Sequence, residues 1–268
     1  MVDQKPIQYR QYRSGRWEVV DAGIVTETPV SLTVNGDVWL TFMCTPNQLE
    51  ALAAGFLFNE GVIQSADQIA DIRLCAQGDN VDVWLHQPAE KPEQWRRTSG
   101  CTGGFTATDV TQVDPVHLNG FVIHPKTVGT LIEQLFESQD LYRQVGGVHT
   151  SALSDGQQIW AMAEDIGRHN SLDKLAGLCL LEGIAISRRI LLTTGRISSE
   201  MLQKSARMQA SIMISRTSPS SLSIELAQKW GITLIGYARR DRYNVYSWPE
   251  RIDTGETFER VNVQTFKR

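Results

Sequence analysis

The chain has 268 residues, of which 41% are hydrophobic, and its 26 basic and 30 acidic side chains give a formal net charge of −4. A chain of this length can bury a large core, and its weakly acidic balance excludes the broad basic field of nucleic-acid-binding proteins. Residues 1–16 contain no apolar run of the signal-peptide kind, and no stretch approaches the roughly 18 apolar residues of a membrane-spanning helix. We therefore expect a cytoplasmic protein that binds neither nucleic acid nor a membrane.

The first strands are predicted by the alternation of apolar and polar residues. Residues 17–44 alternate and are rich in Val, Thr and Ile, and the dipeptide Asn35-Gly36 has the composition of a tight hairpin turn. Further along, residues 69–76 and 81–86 have the same character on either side of a Gly-Asp-Asn turn. The N-terminal part is therefore expected to be antiparallel β structure.

Between these strands lies one predicted helix. Thr45 has the position of an N-cap, Pro46 that of the first helical residue and Gln48 that of the capping-box residue. The apolar residues 49–58 continue the pattern, and Gly61 is expected to end the helix. We thus predict a capped helix of about four turns.

A glycine-rich loop carries one of the four cysteines. Residues 98–105 read Thr-Ser-Gly-Cys-Thr-Gly-Gly-Phe, so Cys101 is surrounded by small side chains and by glycines that allow close backbone approach. This setting leaves the sulfur uncovered, and backbone N–H groups around it would favour the nucleophilic thiolate. Two interpretations stay open on local sequence: a reactive thiol, or a buried cysteine that is incidental to a glycine-rich turn.

The other three cysteines have apolar surroundings. Cys44, Cys75 and Cys179 lie at the ends of strand-like runs or within an apolar helix, where a free cysteine is commonly a small core residue. No Cys-x-x-Cys pair and no neighbouring histidine at ligand spacing accompanies any of the four cysteines. The sequence therefore suggests neither a disulfide framework nor a zinc site.

The second half of the chain alternates strands and helices. Pro125 opens a helix with one apolar stripe, and buried-strand runs then alternate with helices, which predicts a three-layer α/β/α sheet. We expect residues 1–120 to form a smaller β-rich part with one helix and the cysteine loop, and residues 121–268 to form the α/β/α part, the two packing as separate or continuous units. The later strands are predicted at residues 150–153, 158–163, 190–194, 211–214 and 232–235, and the helices between and after them at 170–181, 199–209 and 220–230.

Polar and glycine residues occur at the strand ends of this second half. Open α/β sheets bind ligands at the ends of their strands, and arginine, hydroxyl side chains and helix N-termini are suited to phosphate. Taken alone, each segment could also be a helix cap or a solvated arginine turn. The absence of a Walker lysine pattern and of Gly-x-Gly-x-x-Gly disfavours a P-loop or a classical dinucleotide fold. Together the segments suggest a pocket for a large phosphorylated ligand; they are residues 146–150, 164–170, 193–200, 215–220 and 237–244.

In combination, these motifs resemble the formate dehydrogenase accessory sulfurtransferase family, often called FdhD or FdhD/NarQ. No single motif is decisive, but they follow one another in the order of the family, from about residue 27 to about residue 248. The residues that carry the resemblance are Thr45-Pro46, 54–61, Ser99-Gly100-Cys101, 146–150, 164–170, 193–201 and Asn244-Val245-Tyr246.

The resemblance implies a cytidine-deaminase-like fold, a homodimer, and a sulfur carrier that holds sulfur as a persulfide on Cys101. A cysteine desulfurase would donate the sulfur to it. The acceptor would be the molybdenum or tungsten bis(molybdopterin guanine dinucleotide) cofactor of a formate dehydrogenase catalytic subunit, with GDP as a mimic. The chain lacks the His-x-Glu and Pro-Cys-x-x-Cys motifs of zinc deaminases, so no protein-bound zinc is expected. The cofactor-binding residues that the resemblance implies are Tyr237, Ala238, Arg239, Arg240, Asp241 and Arg242.

One residue departs from the pattern of the family. Many members have Cys-x-x-Cys in the loop, whereas this chain has Gly104 in place of the second cysteine. Sulfur exchange between two loop cysteines is thereby excluded, while a single thiolate can still accept and release sulfur. One alternative is a chaperone that binds the molybdenum cofactor without covalent sulfur chemistry, and another is a nucleotide hydrolase or deaminase. His149 and His169 are candidates for tuning the thiolate or orienting a phosphate, or are structural histidines.

Overall fold

A computed structural model of the chain describes residues 3–92, 96–97, 105–106, 116, 121–185, 187–253 and 255, with the backbone alone at 96–97 and 105–106. No helix in these ranges is both long and apolar enough to span a membrane. The helices are α1 Leu49–Asn59, α2 Pro125–Ser138, α3 Leu141–Val145, α4 Arg168–Leu181, α5 Ser199–Arg207 and α6 Ser221–Trp230. The strands are β1 Gln4–Arg13, β2 Arg16–Val25, β3 Thr28–Val34, β4 Asp37–Cys44, β5 Ile69–Leu74, β6 Asn80–Leu85, β7 Arg96–Arg97, β8 Phe105–Thr106, β9 His149–Ser154, β10 Ile159–Asp165, β11 Ile190–Thr193, β12 Ile212–Ser215, β13 Thr233–Gly236 and β14 Asn244–Ser247.

The chain begins with a two-stranded hairpin that residue alternation predicts only in its second strand. β1 and β2 pair antiparallel, from Gln4 opposite Val25 to Arg13 opposite Arg16. Gly23 lies directly against the Val145 side chain of α3, so the inner end of the hairpin packs on that helix. The rest carries large apolar side chains that are 42% to 67% exposed: Ile7, Tyr9, Tyr12, Trp17, Val19 and Ile24.

A four-stranded sheet follows, in the order β4-β3-β6-β5. The predicted hairpin at Asn35-Gly36 is confirmed, because both residues take the positive φ angles, 49° and 92°, that a tight turn between paired strands requires. The two strands predicted from residues 69–76 and 81–86 are confirmed as β5 and β6. Helix α1 covers one face of this sheet and closes the first hydrophobic core with Leu52, Phe56 and Leu57.

The start of α1 differs from the prediction. The helix begins at Leu49, its N-cap is Gln48 in a left-handed conformation, and no side chain caps it. Thr45 is instead used for tertiary contacts: its hydroxyl accepts a hydrogen bond from the Ile166 N–H at 3.1 Å, and its own N–H donates to Asp165 at 3.0 Å. The predicted cap is therefore wrong because a distant segment competes for it, whereas the helix end before Gly61 is confirmed.

A six-stranded mixed sheet forms the second half, in the order β10-β9-β11-β12-β13-β14. The predicted hairpin of residues 150–153 and 158–163 is confirmed as β9 and β10, which pair antiparallel. Strands β11, β12 and β13 are parallel to one another, and β9 and β14 run antiparallel beside them. The carboxyl ends of the three parallel strands and the amino ends of β9 and β14 therefore share one edge of the sheet.

Alternate residues of the parallel strands enter two different cores. Leu191 and Met213 pack with side chains of α4, α5 and α6, whereas Leu192 and Ile214 pack with those of α2. Helices thus cover both faces, as continuous apolar strand runs require. The mixed α/β class is confirmed. The cytidine-deaminase-like arrangement and a division of the chain at residue 120 stay predictions.

Helices α1 and α4 cross at two glycines and join the two sheets. A Cβ atom on Gly55 would overlap the carbonyl oxygen of Asp173, and one on Gly177 would overlap the carbonyl oxygen of Ala51. Backbone therefore lies against backbone on both sides of the crossing. Any side chain larger than the hydrogen of glycine at either position would prevent this close approach.

Beside this crossing lies a buried ion network, by which we mean the pairs Asp165–Lys174 and Asp173–Lys204. The ion-pair distances are 2.7 Å and 2.5 Å, and the four side chains are between 0% and 5% exposed. Lys174 also donates to the Thr45 carbonyl oxygen at 2.9 Å, and Asp173 accepts from the Asn59 amide at 2.7 Å. The network therefore bonds α4 to residues of the N-terminal part as well as to α5.

Candidate functional site

The cysteine on which the sequence concentrates, Cys101, lies outside the described residues, together with the rest of segment 98–104. The short strands on either side are described: β7 pairs antiparallel with β8, with Arg97 opposite Phe105. The interpretation of Cys101 as a reactive thiol and the effect of Gly104 stay predictions.

Of the three described cysteines, two lie in apolar surroundings. Cys44 is fully buried in the first core, and burial, reinforced by nearby Asp165, raises the pKa of its thiol to about 12. Cys179 packs against the core that Leu191 and Met213 form with α4, α5 and α6, and burial raises the pKa of its thiol to about 11. Core placement is confirmed for Cys44, whereas Cys179 is partly buried at the margin of its core. For Cys75 core placement is wrong, because this residue is half-buried in a turn and its thiol donates to Asp79 Oδ1 at 2.9 Å.

The polar segments that the sequence singles out meet at one edge of the large sheet. Strands β11, β12 and β13 end there at Thr193, Ser215 and Gly236, and β9 starts there at His149. Backbone hydrogen bonds connect adjacent segments: Thr194 N–H to Thr150 O at 3.0 Å, Arg216 N–H to Thr193 O at 3.2 Å, and Ala238 N–H to Ser215 O at 2.9 Å. The predicted convergence of these segments at strand ends is thus observed.

A cavity of about 300 Å³, which we call the edge cavity, opens between these segments and α2. The Arg216 guanidinium lies over the Phe136 ring, 4.2 Å from its centroid. Arg239 is held beside it, since its Nη1 donates to the Arg216 and Ala238 carbonyl oxygens at 2.8 Å each. The lining residues are Phe136, Gln139, Tyr142, Val148, His149, Thr194, Arg216, Thr217 and Arg239.

The two arginines of the edge cavity have no carboxylate partner in the described part of the chain. Neither Arg216 nor Arg239 forms an ion pair there, and the Nε atom of Arg216 is buried with no hydrogen-bond partner. Burial, followed by the charge of Arg239, lowers the pKa of Arg216. Guanidinium groups bind phosphate bidentately, so the cavity is suited to an anionic ligand.

Segment 237–242 divides its residues between this cavity and other contacts. Tyr237 is 48% exposed and has a left-handed φ of 53°, which costs free energy for a residue other than glycine. Ala238 is fully buried in the core, and Arg239 lines the edge cavity. Arg240 instead pairs with Glu133 of α2 at 2.9 Å. The last two residues of the segment, Asp241 and Arg242, have exposed side chains.

A second cavity of about 420 Å³ lies at the same edge, between the start of α4 and the starts of α5 and α6. Ser198 and Ser220 are the N-caps of α5 and α6, and their hydroxyls accept from the Met201 and Ser223 N–H groups. The charged side chains of the lining are two cations, Arg168 and Arg196, and one carboxylate, Glu200. Helix N-termini and arginines both attract anions, so this serine-lined cavity extends the anion-compatible surface of the edge.

The interpretation in which Asp165 or Asn170 caps α4 is wrong. The helix has Gly167 as its N-cap, and no side chain caps it. Asp165 accepts from the Gly167 N–H at 2.7 Å and pairs with Lys174. Glu164 accepts from three backbone N–H groups at the start of α3, at distances of 2.8 to 3.1 Å. Glu164 therefore fixes the segment that supplies Gln139 and Tyr142 to the edge cavity.

Both candidate histidines have lowered pKa values. His149 lines the edge cavity, and its pKa is lowered by burial and then by Arg168. His169 is 5% exposed, and burial, followed by Lys204, holds its pKa well below 6.5. Each imidazole is therefore neutral near pH 7, which suits hydrogen bonding better than charge pairing with a phosphate.

Sequence reasoning missed the side of the cavity that α2 forms. Phe136 at the end of α2, Gln139 after it and Tyr142 in α3 precede the first strand of this edge and carry no motif. The one available signal is the apolar stripe of α2, which predicts that the helix packs on the sheet but not which polar residue reaches the edge. Among the described residues, no group of three His, Cys, Asp or Glu side chains could hold a metal ion.

Comparison with known proteins gives one family. The FdhD/NarQ family model matches residues 25–253 of the chain. The chain is similar to sulfur carrier protein FdhD of Bacillus subtilis strain 168, with 35% identity over 248 residues, 90% of this chain and 95% of that protein. The corresponding protein of Staphylococcus haemolyticus is 33% identical over 252 residues, 92% of this chain and 96% of its own. A crystal structure from Desulfotalea psychrophila, described as a formate dehydrogenase accessory protein, superposes with a TM-score of 0.78 at 32% identity, covering 93% of this chain and 99% of that one.

Proposed function

Because the chain belongs to the FdhD/NarQ family, we propose that it is a sulfur carrier required for formate dehydrogenase activity. The observation that carries the proposal is the family match over residues 25–253, a range that includes the cysteine loop. The names of the relatives, sulfur carrier protein and formate dehydrogenase accessory protein, support the same role.

Cys101 is the residue proposed to carry the transferred sulfur. Its thiolate attacks the terminal sulfur of a persulfide on a cysteine desulfurase; the new sulfur–sulfur bond forms on Cys101 and the donor cysteine leaves as a thiolate. Because Gly104 takes the place of a second loop cysteine, the sulfur stays on one thiol until it is transferred. The described thiols support this choice by contrast, since burial raises the pKa of both Cys44 and Cys179.

The proposed acceptor is the molybdenum bis(molybdopterin guanine dinucleotide) cofactor, bound as a substrate at the sheet edge. Its phosphates would contact Arg239, which like Arg216 has no carboxylate partner in the described chain, and the serine-lined cavity would hold further anionic groups. Within segment 237–242, the structure favours Arg239 for this contact and Ala238 for a purely structural role. A guanine nucleotide such as GDP is the corresponding probe.

Three protein partners belong to the proposal. They are a cysteine desulfurase as the sulfur donor, the formate dehydrogenase catalytic subunit as the destination of the cofactor, and a second copy of this chain. The exposed apolar side chains of the β1–β2 hairpin support protein contacts, because contiguous exposed apolar surface commonly marks an interface.

The test is Cys101→Ala. Purified wild-type protein incubated with a cysteine desulfurase and cysteine should gain one sulfur by mass spectrometry, and the variant should gain none and fail to restore formate dehydrogenase activity in cells that lack the carrier. Cys75→Ala is the matched control, since it removes a half-buried thiol elsewhere and should keep both activities. Persulfide labelling and full activity in Cys101→Ala would overturn the proposal.

A second candidate is a cofactor chaperone without covalent sulfur chemistry, which the single loop cysteine favours. It would use the edge cavity alone. Under this alternative, Cys101→Ala keeps formate dehydrogenase activity, while charge reversal by Arg239→Glu abolishes it. Under the sulfur-carrier proposal both variants lose activity, so the pair separates the two functions.

A further inference from the structure

One side of the edge cavity is a buried amide. Gln139 is 1% exposed, and its Oε1 atom has no hydrogen-bond partner within the described part of the chain. A buried acceptor without a partner costs free energy unless something else donates to it. A residue in this state beside a cavity is suited to a ligand that brings a donor.

The orientation of this amide follows from its neighbours. The Gln139 amide nitrogen lies 2.5 Å from Thr150 Oγ1, and Thr150 Oγ1 lies 3.5 Å from Glu164 Oε1. An ionised carboxylate only accepts, so the single hydroxyl proton of Thr150 is donated to Glu164. Thr150 must then accept from the amide NH2 of Gln139. The carbonyl end of Gln139 is therefore the end left without a donor.

Hydrogen-bond donors lie nearby on the same cavity. Phe136 precedes Gln139, the C-cap residue of α2, by three residues, and both line the cavity. The Arg216 guanidinium lies over that Phe136 ring at 4.2 Å and retains a buried Nε without a partner. One acceptor and one cationic donor thus border the same space of about 300 Å³.

A ring that carries an amino group next to a ring nitrogen and a carbonyl oxygen fits this arrangement. Guanine and pterin share such a 2-amino-oxo edge: the amino group donates and the oxo oxygen accepts from arginine. Hypoxanthine lacks the amino donor, and adenine has no oxo acceptor. A fixed acceptor such as an oriented amide can therefore separate these rings, because the ring that lacks the donor leaves the amide unpaired.

We infer that Gln139 is the residue that selects a 2-amino-oxo ring in the edge cavity, by accepting a hydrogen bond from the amino group of the ring. The inference rests on the proposed binding of a guanine dinucleotide at this cavity and adds which atom distinguishes the base. Gln139 is a specificity-determining residue here, and Glu164 and Thr150 orient it.

The first experiment compares GDP with IDP, which differ only in the 2-amino group, by calorimetric titration of the full-length wild-type protein. We expect GDP to bind about tenfold more tightly than IDP, the ratio that corresponds to one hydrogen bond to an otherwise unpaired buried acceptor. Equal affinities for the two nucleotides, or no binding of either, would overturn the inference. Persulfide formation on Cys101 is measured separately, so a failure here leaves the sulfur-carrier proposal to its own test.

The second experiment uses Gln139→Met, which keeps the length of the side chain and removes the acceptor. The GDP to IDP ratio should fall to about one, with IDP affinity unchanged from that of the wild type. If Gln139 had only a structural role, the variant would bind GDP and IDP more weakly by the same factor, and the ratio of the two affinities would not change. That result would contradict the inference. Gln134→Met is the matched control, because Gln134 lies on the same helix with an unpartnered Oε1 but does not line the cavity among the described residues.

A third experiment tests whether the edge cavity binds a pterin ring as well as guanine. Pterin and lumazine are used as competitors against bound GDP. Lumazine differs from pterin in that an oxygen replaces the 2-amino group. Displacement by pterin but not by lumazine assigns the same selection to a pterin ring as well; displacement by neither assigns it to guanine alone. Equal displacement by both competitors would contradict selection at the amino group.

Discussion

Two polar regions of this molecule contain arginine or lysine in partly or fully buried positions, and they differ in how the charge is balanced. In the buried ion network beside the α1–α4 crossing, Lys174 and Lys204 each contact a carboxylate within 2.7 Å and are almost fully buried. In the edge cavity, Arg216 and Arg239 have no such partner in the described chain, and burial, followed by the charge of Arg239, lowers the pKa of Arg216.

The difference separates structure from function. A buried cation whose carboxylate partner is part of the fold can stabilise contacts between elements. Its charge is already neutralised, however, so it attracts an anionic ligand only weakly. A pair of adjacent cations without a counter-charge destabilises the empty site modestly and gains most when an anion arrives. We therefore expect changes in the first region to alter folding and changes in the second to alter binding.

The largest expected effect is on stability, in the first region. Lys174→Met should lower the free energy of unfolding by about 3–5 kcal/mol, because Asp165 is left buried without its partner. Urea denaturation followed by circular dichroism measures this change. Lys126→Met removes an exposed lysine from α2 and serves as the control, with an expected change below about 0.5 kcal/mol.

The same region offers a sharper version of that experiment. The double variant Lys174→Met, Asp165→Asn should be more stable than Lys174→Met alone, because the uncompensated charge is gone. A double variant that is no more stable than the single one would mean that the hydrogen bonds of Lys174 to Thr45 and Asn47, and not its charge, hold α4 in place.

The next effect is on binding, in the second region. Arg239→Gln should lower the affinity for GDP about 10- to 100-fold, because a charge-assisted contact is lost. The free energy of unfolding should change by less than about 1 kcal/mol. Arg240→Gln is the adjacent control: this residue pairs with Glu133 at the surface, so GDP affinity should stay within about twofold. Equal losses in the two variants would break the comparison, since they would point to a diffuse positive field instead of a defined cavity.

The smallest effect is expected at His169, whose pKa is lowered by burial and then by the charges of Lys204 in the ion network and of Arg168. Its pKa is lowered in the folded state, so below about pH 6.5 the unfolded state binds a proton that the folded state does not. Stability from this residue is therefore present above pH 6.5 and is lost as the pH falls, by at most about 1.4 kcal/mol per pH unit.

That prediction is measured by urea denaturation at pH 7.5, 6.5 and 5.5. His169→Asn should show a shallower decline between the last two values than the wild type, and His86→Asn, at an exposed position, should not. An unchanged slope in His169→Asn would assign the acid sensitivity to His149 or to other groups.

The sequence predicts much of the large sheet for a definite physical reason. Strands that are buried on both faces, such as β11 and β12, begin with three consecutive apolar residues, and the hydroxyl, glycine and arginine residues that follow mark the end of each strand. Parallel strands share an edge, so the polar segments at their ends must meet. The location of a binding edge can therefore be read from local patterns.

Features that depend on distant contacts could not be predicted in this way. Thr45 has the local pattern of a helix cap, yet Asp165 and Ile166, more than a hundred residues away, take its hydrogen bonds. Strand β1 carries no buried side chain, and its residues lack the regular apolar–polar alternation that identifies a half-buried strand. Gln139 reaches the cavity through the packing of α2 and the anchoring of α3 by Glu164, and neither leaves a mark near residue 139.

The glycine crossing of α1 and α4 has a consequence for the order in which the newly made chain can become compact. Gly55 is synthesised early, but the backbone that packs on it belongs to Asp173 and Gly177. At elongation rates of about 5–20 residues per second, the intervening stretch takes roughly 6 to 25 seconds to emerge. Until then, one face of α1 lacks the helix that packs on it, so chaperones and proteases can reach this face in the nascent chain.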